Sequence, residues 1–321
     1  MGVLILARDF DPTADAVVRK LTGRGVQVLR TDLSAFPTSL SVDAALCDRR
    51  WRGRLWNSHH SMALEEMRSI WCRNPSTYRF RDEMPTQVQD LAYREAKLGL
   101  GGVLGALDVL WANHPNRCAD AIWKPYQWRM AAECGLSVAD TAITNDPEAA
   151  ARFVGAHSEG ETITKALGPS GVTVDGQTRV AFTRRLDRSD VANLNSVALT
   201  ATTLQRFVPK AFEVRLTVIG DAWFPVAIHA LSERARVDWR SDPEALTFRP
   251  VEVPDGVAQG VAMYMKRANL VYSGLDFVVT PDDEWVFLEA NSGPQFGFLE
   301  AATGEPMTAA MADLLAQGAT Q

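Results

Sequence analysis

The spacing of hydrophobic and polar residues predicts an α/β arrangement at the start of the chain. Residues 2–7 (GVLILA) form an apolar run that is typical of a buried strand. Residues 11–25 carry apolar side chains at helical spacing and end at a glycine, which predicts a helix. Residues 26–32 (VQVLRTD) have the composition of a second strand. This β-α-β order is typical of a small domain with parallel strands.

The same patterns predict the later elements. We expect a hairpin over residues 45–56 that turns at Gly53, and a helix over residues 86–112 with a break near Gly101, because glycine disfavours helix. Further helices are predicted over residues 124–136 and 144–154, and strands over residues 161–168, 179–186 and in three runs between 204 and 230. The fold class is therefore α/β, with a sheet of antiparallel strands in the carboxyl-terminal part.

The last predicted hairpin carries acidic residues at its open end. The runs DFVV (276–279) and WVFLEA (285–290) flank the stretch TPDD. A turn at the midpoint places Asp276 opposite Glu289 and Val278 opposite Phe287, and Asn291 then shares the face of Glu289. Two carboxylates that converge repel each other, and a Mg²⁺ ion held by oxygen ligands relieves that repulsion. The alternative is a surface hairpin whose acidic side chains are solvated.

Composition limits the classes of function. The 321 residues are 46% hydrophobic and 22% charged, as in ordinary globular proteins, and the net charge of −6 argues against nucleic acid as the main partner. The four cysteines are far apart, which favours reduced thiols over disulfides or a zinc site. We find no signal peptide and no apolar run long enough to span a membrane, so we expect a cytoplasmic protein with no membrane partner.

Two strands carry charged residues that suit a phosphate ligand. Lys165 ends the strand of residues 161–168, before a loop with Gly168 and Gly171, and glycine-rich loops let backbone N–H groups approach phosphates. The spacing does not match the P-loop motif. In FEVRLTVIG, Glu213 and Arg215 share a polar strand face. The alternatives are a solvated lysine at a strand edge and a structural Glu213–Arg215 pair.

The order of these motifs resembles that of the ATP-grasp superfamily, and most closely that of the microviridin-type graspetide synthetases. The resemblance covers nearly the whole chain, and its most specific motifs are KPYQWRMAAECGL, TNDPEAA, QRFVPKAFEVRLTVIG, VDWR, LDFVV and FLEAN. It implies an ATP-grasp fold with an N-terminal pre-ATP-grasp α/β domain (1–112), a central domain (113–203) and a C-terminal antiparallel-sheet ATP-grasp domain (204–321).

The resemblance also implies roles for individual residues toward ATP and two Mg²⁺ ions. The implied ATP contacts are the phosphate-binding Lys124 and Lys165 with Gly168 and Gly171, the adenine hinge Gln205, Arg206, Phe207 and Val208, the ribose ligand Glu213, and Arg215 at the transferring phosphate. The implied metal ligands are Asp276, Glu289 and Asn291. The chain departs from the family pattern at Arg206, where an acidic residue is usual, and after Asn291, where Ser-Gly-Pro replaces the usual Pro-x-Gly.

The activity implied is that of an ATP-dependent ligase. It activates Asp or Glu side chains of a ribosomal precursor peptide as acyl phosphates and joins them to Ser or Thr hydroxyls, or to Lys amines, to form macrocycles. Lys165, Arg215 and Arg240 are the expected catalytic cations. A homodimer is expected.

Charged residues in the central and carboxyl-terminal segments suit the peptide substrate. We expect the leader to dock on residues 183–195 through Arg184, Arg185, Asp187 and Asp190, and the core peptide to lie near Asp238 and Arg240. The alternatives are a solvated charged loop over residues 183–195 and a structural Asp238–Arg240 pair.

Two other functions share the nucleotide residues. One is a ligase of the RimK or glutathione synthetase type, which joins a carboxylate of a free peptide or amino acid to an amine. The other is an ATP-binding regulatory protein without catalysis, although a pure binder has no need of the complete metal set.

Overall fold

The first third of the chain forms two sheets, and the computed structural model describes residues 1–168, 171–175 and 177–318. In chain order the elements are β1 (Gly2–Ala7), α1 (Pro12–Thr22), β2 (Gln27–Thr31), β3 (Ser41–Cys47), β4 (Arg50–Trp56), β5 (Ser61–Ala63), β6 (Met67–Arg73), α2 (Thr86–Gly105) and β7 (Leu110–Ala112). Strands β2, β1, β6 and β7 lie side by side in parallel, and β3, β4 and β5 form an antiparallel sheet. The predicted β-α-β arrangement is confirmed.

Helix α1 begins where the sequence predicts it, because its first residues suit a helix start. The side chain of Asp11 accepts a hydrogen bond from the Ala14 N–H at 3.0 Å, which satisfies a donor that lacks an intrahelical partner. Pro12 occupies the first turn, where no backbone N–H is needed. The apolar face with Val17 and Leu21 is completely buried.

The predicted turn at Gly53 is wrong. The turn between β3 and β4 lies at Asp48 and Arg49, which both adopt the left-handed conformation (φ 50° and 65°). Gly53 lies inside β4, where a Cβ atom would stand 2.1 Å from the Asp43 carbonyl oxygen. Glycine is needed there for the close approach of two strands, a role that the sequence alone does not distinguish from a turn.

The predicted break near Gly101 is also wrong. Helix α2 continues from Thr86 to Gly105 without interruption. Its residues Ala96, Leu100 and Leu104 are buried against the amino-terminal sheets. This burial outweighs the helix-propensity cost of the nearby glycines, about 1 kcal/mol each.

The middle of the chain adds a second, smaller sheet. Its elements are α3 (Pro115–Ala121), α4 (Lys124–Glu133), β8 (Ser137–Val138), β9 (Thr141–Thr144), α5 (Pro147–Gly155), β10 (Thr162–Thr164), β11 (Gly171–Val174), β12 (Gln177–Val180), β13 (Arg184–Arg185), α6 (Arg188–Ala192) and β14 (Thr202–Arg206). Strands β13, β10, β14 and β9 form the central sheet, and β11 and β12 form a separate two-stranded sheet. Pro169 and Ser170, within the predicted phosphate-binding loop, lie outside the described residues.

The strand predicted over residues 179–186 is divided into two. Strand β12 ends at Val180 and pairs with β11, whereas β13 pairs with β10. Residues 181–183 connect them without strand pairing. The two halves have different partners, and a run of strand-forming residues does not reveal a change of partner.

The carboxyl-terminal part forms the largest sheet. Its elements are β15 (Phe212–Ile219), β16 (Ala222–Ala230), α7 (Glu233–Val237), β17 (Leu246–Pro250), α8 (Asp255–Ala268), β18 (Tyr272–Val279), β19 (Trp285–Asn291), α9 (Gly297–Thr303) and α10 (Met307–Gln317). The sheet order is β17-β16-β15-β18-β19-β8, antiparallel except for the β19–β8 pair. One face is buried against α4 and α8, and the opposite face carries polar side chains. Helix α10 returns to pack on α1 and β6.

The division at residues 1–112, 113–203 and 204–321 stays a prediction, and several elements cross its limits. Strand β14 runs through residue 204 and belongs to the central sheet. Helix α4 and β8 lie in the predicted central segment but pack on or pair with the carboxyl-terminal sheet. Among the described residues, no helix combines the length and the apolar character that a membrane span requires.

Asn113 joins the amino-terminal domain to the carboxyl-terminal sheet. Its amide donates hydrogen bonds to the carbonyl oxygens of Tyr272 and Ser292, the latter at 2.7 Å. Its side-chain oxygen accepts from the N–H groups of Val271 (2.9 Å) and Tyr272 (3.2 Å). Asn113 is only 1% exposed, and the two hydrogen bonds of its side chain to the Tyr272 backbone are buried, so these two backbone groups depend on Asn113 rather than on water.

We expect Asn113→Ala to lower the free energy of unfolding by about 3 kcal/mol, because it leaves two buried and two partly buried backbone groups without this partner. Denaturant unfolding at equilibrium measures the change. The matched control is Asn116→Ala, an exposed position in α3 for which we expect a change within about 0.5 kcal/mol. A loss of under about 0.5 kcal/mol for Asn113→Ala contradicts the importance of this junction.

Candidate functional site

A single cleft brings together most of the predicted nucleotide residues. It lies between the central sheet and the polar face of the large sheet, and its volume is about 960 Å³ with its mouth included. The predicted residues that line it are Lys124, Lys165, Gly168, Gln205, Arg206, Phe207, Val208, Glu213, Arg215, Asp238, Arg240, Asp276 and Glu289.

Four carboxylates line the cleft, and each one is paired with a cation. Burial of an unpaired charge is costly, so a polar strand face of this kind needs compensation. The pairs are Lys124–Glu289, Lys210–Glu213, Arg215–Asp276 and Arg240–Asp238. The two arginine pairs are bidentate. Arg215 donates to Asp276 through Nε and through Nη2, the latter at 2.9 Å, and Arg240 donates to Asp238 through Nε at 2.9 Å and Nη2 at 3.0 Å.

Lys165 is the cleft lysine that the described residues leave without a carboxylate partner. It follows β10 directly, and its ammonium lies 5.1 Å from the centre of the Trp128 ring. Burial, with further contributions from Lys124 and Arg240, lowers the pKa of Lys165 to about 7. A partly neutralised lysine in such a position is suited to an anionic ligand, which restores its charge.

The sequence left open a structural pair between Glu213 and Arg215, and this alternative is wrong. Both side chains lie on the cleft face of β15, but Arg215 binds Asp276 on the neighbouring β18. Glu213 instead contacts Lys210, which also donates to the Val237 carbonyl oxygen at 3.2 Å. Burial raises the pKa of Glu213, and Lys210 partly opposes that shift. Lys210 was missed; its signal is a lysine three residues before Glu213.

The structure contains the Asp238–Arg240 pair that the sequence left open. Burial disfavours the charge of Asp238, but the hydrogen bonds and the charge of Arg240, together with the Thr183 N–H, outweigh it and lower the pKa of the carboxyl group. Asp238 also accepts from the Thr183 N–H at 3.2 Å, and thereby connects residues 181–183 to the cleft. Arg240 remains partly exposed toward the cleft, where a substrate anion can compete for it.

The three predicted metal ligands converge at the open end of the β18–β19 hairpin. Asp276 pairs with Glu289 as predicted, and the Asn291 amide nitrogen lies 3.4 Å from a carboxylate oxygen of each. Rotation of that amide by 180° presents its oxygen instead, so the donor set suits Mg²⁺. In the described part of the chain, no group of three or more His, Cys, Asp or Glu side chains is placed to hold a metal. Any ion here therefore needs Asn291 and oxygens of a ligand.

A β-bulge directs Glu289 to the cleft, and it makes one predicted pair wrong. Phe277 lies opposite Phe287 and Val278 opposite Val286, so Val278 does not face Phe287. Leu288 is the additional residue of β19, and it shifts the register between Asp276 and Phe277. With regular alternation, Glu289 would share the buried face of Phe287.

Helix α4 holds the bulge in place. The Trp128 indole N–H donates to the Leu288 carbonyl oxygen at 2.8 Å. The Gln127 side chain exchanges two hydrogen bonds with the Ala290 backbone, at 2.8 and 3.0 Å, as a neighbouring strand would. Lys124, one turn earlier, reaches Glu289 between them. Gln127 and Trp128 follow Lys124 by three and four residues, so all three lie on one face of α4. Together they contact three successive residues of β19.

The predicted hinge lies at the end of β14. The Arg206 N–H donates to the Asp140 carbonyl oxygen (2.8 Å), and the Phe207 N–H to that of Glu161 (2.6 Å). Among the described residues, the Val208 N–H has no hydrogen-bond partner, although Val208 is only 8% exposed. A buried free donor beside the cleft suits the ring nitrogen of a base.

Several predicted residues lie outside this cleft. Gly171 begins β11 and does not line it, and Asn291 borders an adjoining recess. The four predicted leader contacts have local partners: Arg184 pairs with Asp190, Asp187 and Asp190 form the capping box of α6, and Arg185 stacks over Phe207 at 3.7 Å. Their predicted role in leader binding stays a prediction.

The comparisons with known proteins agree with this geometry. Residues 2–118 match the MvdD pre-ATP grasp domain family. No curated protein matches the chain significantly. Macrocyclase MdnC from Microcystis aeruginosa MRC, solved with the precursor peptide MdnA, is 25% identical, with a TM-score of 0.85 over 99% of this chain and all of that chain.

Two further solved structures cover the same extent. Macrocyclase MdnB from Microcystis aeruginosa MRC is 26% identical, with a TM-score of 0.78 over 98% of each chain. A RiPP-associated ATP-grasp ligase of Chryseobacterium gregarium, solved with ADP and a leader and core peptide, is 24% identical, with a TM-score of 0.90 over 99% of this chain and 97% of that one. The fold predicted from the sequence is confirmed: the chain is an ATP-grasp ligase whose amino-terminal part matches the MvdD pre-ATP grasp domain family, and it is similar over its whole length to the microviridin-type macrocyclases.

Proposed function

We propose that this ligase closes rings in a ribosomal precursor peptide by joining Asp or Glu side chains to Ser or Thr hydroxyls, or to Lys amines, at the expense of ATP. The observation that carries the proposal is the charge pattern of the cleft, with four carboxylates matched by cations and Lys165 left for an anion. The similar structures support it, since several were solved with a precursor peptide or with ADP.

The reaction has two steps. An oxygen of the side-chain carboxylate attacks the γ-phosphorus of ATP, the bond to ADP breaks, and an acyl phosphate forms. The hydroxyl or amine of the acceptor then attacks the carbonyl carbon, phosphate leaves with that oxygen, and the acceptor loses a proton. Each ring therefore costs one ATP and removes the elements of one water from the peptide.

The residues of the cleft divide this work. Lys124 and Lys165 hold phosphate oxygens, the backbone from Gln205 to Val208 holds adenine, and Glu213 holds the ribose. Asp276, Glu289 and Asn291 would hold two Mg²⁺ ions, which supply charge neutralisation between the carboxylate and the transferring phosphate. Arg215, which is bound to Asp276, faces the transferring phosphate and the substrate carboxylate that attacks it, and Arg240, which is bound to Asp238, pairs with the same substrate carboxylate.

Two cations of the protein lie beside the carboxylates that Mg²⁺ ions would bind. Lys124 contacts Glu289 and Arg215 contacts Asp276, so both predicted metal carboxylates are already paired. Cations that bind these carboxylates free Lys124 and Arg215 to face phosphate. We therefore propose that nucleotide and Mg²⁺ bind cooperatively. The leader peptide is proposed to dock beside residues 183–195, and the protein to act as a homodimer.

The lowered pKa of Lys165 predicts that ATP binding depends on pH. Its pKa of about 7 in the free protein rises when phosphate binds, so binding takes up a proton above pH 7 and the affinity falls as the pH increases. We expect the dissociation constant of Mg-ATP to increase between pH 7.5 and 9 by up to about tenfold per unit. Calorimetry in buffers of different ionisation enthalpy measures both the affinity and the proton uptake.

The control is Lys165→Arg, because a guanidinium keeps its charge throughout this range. Its dissociation constant should change by under about twofold between pH 7.5 and 9. A wild-type affinity that is equally flat, without proton uptake, contradicts the assignment of Lys165 to the phosphates.

The direct test of the function needs a candidate precursor, for which a short reading frame rich in Thr, Asp and Glu is sought beside the gene of the enzyme. The mass of that peptide is measured after incubation with Mg-ATP. The proposed activity lowers the mass by one water per ring. We expect Glu289→Gln and Asn291→Ala to slow this dehydration by about a hundredfold or more, because each removes a metal ligand.

Glu284→Gln, an exposed carboxylate in the turn of the same hairpin, is the matched control and should keep the wild-type rate. Thermal unfolding of each variant verifies the fold. A mass gain equal to one amino acid indicates the RimK- or glutathione-synthetase-like alternative, and an unchanged mass despite bound ATP indicates a binding protein; either result rejects ring closure.

A further inference from the structure

A recess opens from the cleft beside the predicted metal ligands. Arg215, Trp239, Arg240 and Glu289 border both spaces, so the two are continuous. On its other side the recess is bordered by Asn291, Pro294 and Phe298, among others. Its position places it next to the carboxylates and guanidinium groups where the chemistry is proposed, on the side away from the hinge.

One side of this recess is an aromatic wall, formed by Trp239 and Phe298 and supported from behind by Phe248. The Trp239 and Phe298 rings are stacked, with centres 6.1 Å apart and planes at 26°. Phe248 meets Phe298 edge-on at 5.9 Å. The three residues come from the segment after α7, from α9 and from β17, so separate parts of the chain converge to build the wall.

The aromatic wall is not buried inside the protein. Phe298 is 37% exposed and Trp239 is partly exposed, although each is large and apolar. Exposed aromatic surface that borders a polar cleft is typical of a site that receives a flat apolar group.

Charge and distance define the ligand further. The guanidinium carbon of Arg215 lies 5.9 Å from the centre of the Trp239 ring, and Arg240 borders the same recess. A peptide carboxylate that binds the guanidinium groups therefore lies close to the wall. In an extended peptide, side chains two positions apart lie on one side of the backbone, roughly 6.6 Å from each other. This separation matches that between Arg215 and Trp239.

From these contacts we infer that the aromatic wall is a specificity site, which binds an aromatic side chain two positions from the reacting Asp or Glu of the core peptide. The inference rests on the proposed function, because the peptide carboxylate is what directs the chain to Arg215 and Arg240. It adds the class of residue that the site selects: an aromatic side chain packs against the exposed surface of Trp239 and Phe298, whereas a small or charged side chain leaves that surface uncovered.

Three synthetic peptides test the inference with the wild-type protein in Mg-ADP: Ac-Phe-Ala-Glu-Ala-Phe-NH2, Ac-Ala-Phe-Glu-Phe-Ala-NH2 and Ac-Ala-Ala-Glu-Ala-Ala-NH2. Calorimetry or fluorescence titration gives the dissociation constants. We expect the first peptide to bind about fivefold more tightly than the third, as suits one aromatic contact, and the second to gain less than the first. Equal affinity for the three peptides, or no measurable binding of any, overturns the inference.

Variants separate the wall from the rest of the site. Trp239→Ala and Phe298→Ala should reduce the preference for the first peptide to under about twofold, while Trp239→Phe should keep most of it. Phe10→Ala removes an aromatic ring that is 97% exposed outside the recess, and should leave the preference unchanged. If both alanine variants keep the wild-type preference, the wall is not the determinant. Binding of Mg-ADP to the wild-type protein is measured separately, and its absence rejects the proposed function itself.

Discussion

The need to balance buried charge determines how this protein is built. The polar face of the large sheet holds Glu213 and Asp276, and neither is compatible with burial unless a cation lies beside it. Glu213 therefore pairs with Lys210, which lies in the segment before β15. Asp276 pairs with Arg215 on the neighbouring strand β15. Such pairs add little net stability. Their value is functional, because they hold cations and carboxylates close together before a ligand enters.

The same principle explains why the interface between chain segments is polar at the cleft and apolar elsewhere. Helix α4 packs Trp128 into the apolar core of the large sheet, and the same helix turns Lys124 and Gln127 toward β19. Its contacts hold the bulge at Leu288, which turns Glu289 to the cleft. One helix thus connects the packing of the core to the geometry of the proposed metal site.

Local patterns predicted much of this arrangement. The period of apolar residues gave the β-α-β opening, and the symmetry of the last hairpin gave the pairing of Asp276 with Glu289. The Val278–Phe287 pair was wrong, because one additional residue in β19 has no signature in a run of apolar residues. Gly53 was assigned to a turn, since the need for close strand approach depends on the partner strand.

Interactions between distant parts of the chain could not be predicted from the sequence. The partner of Arg215 is decided by which strand lies beside β15, and the isolation of Lys165 is known only when every carboxylate of the cleft has been placed. The recess lined by Trp239 and Phe298 likewise requires three separate segments to converge. The resemblance to ATP-grasp ligases supplied residue roles, but not these partners.

The proposed function depends on one step, in which the cleft forms an acyl phosphate on a side chain of the peptide. The most direct measurement uses a precursor whose Asp and Glu side-chain carboxylates carry ¹⁸O, with mass spectrometry of the phosphate released from Mg-ATP. The acyl-phosphate mechanism predicts one ¹⁸O atom in inorganic phosphate for each ring formed, together with one ADP. Release of AMP that carries the label, or ring formation with unlabelled phosphate, would contradict it.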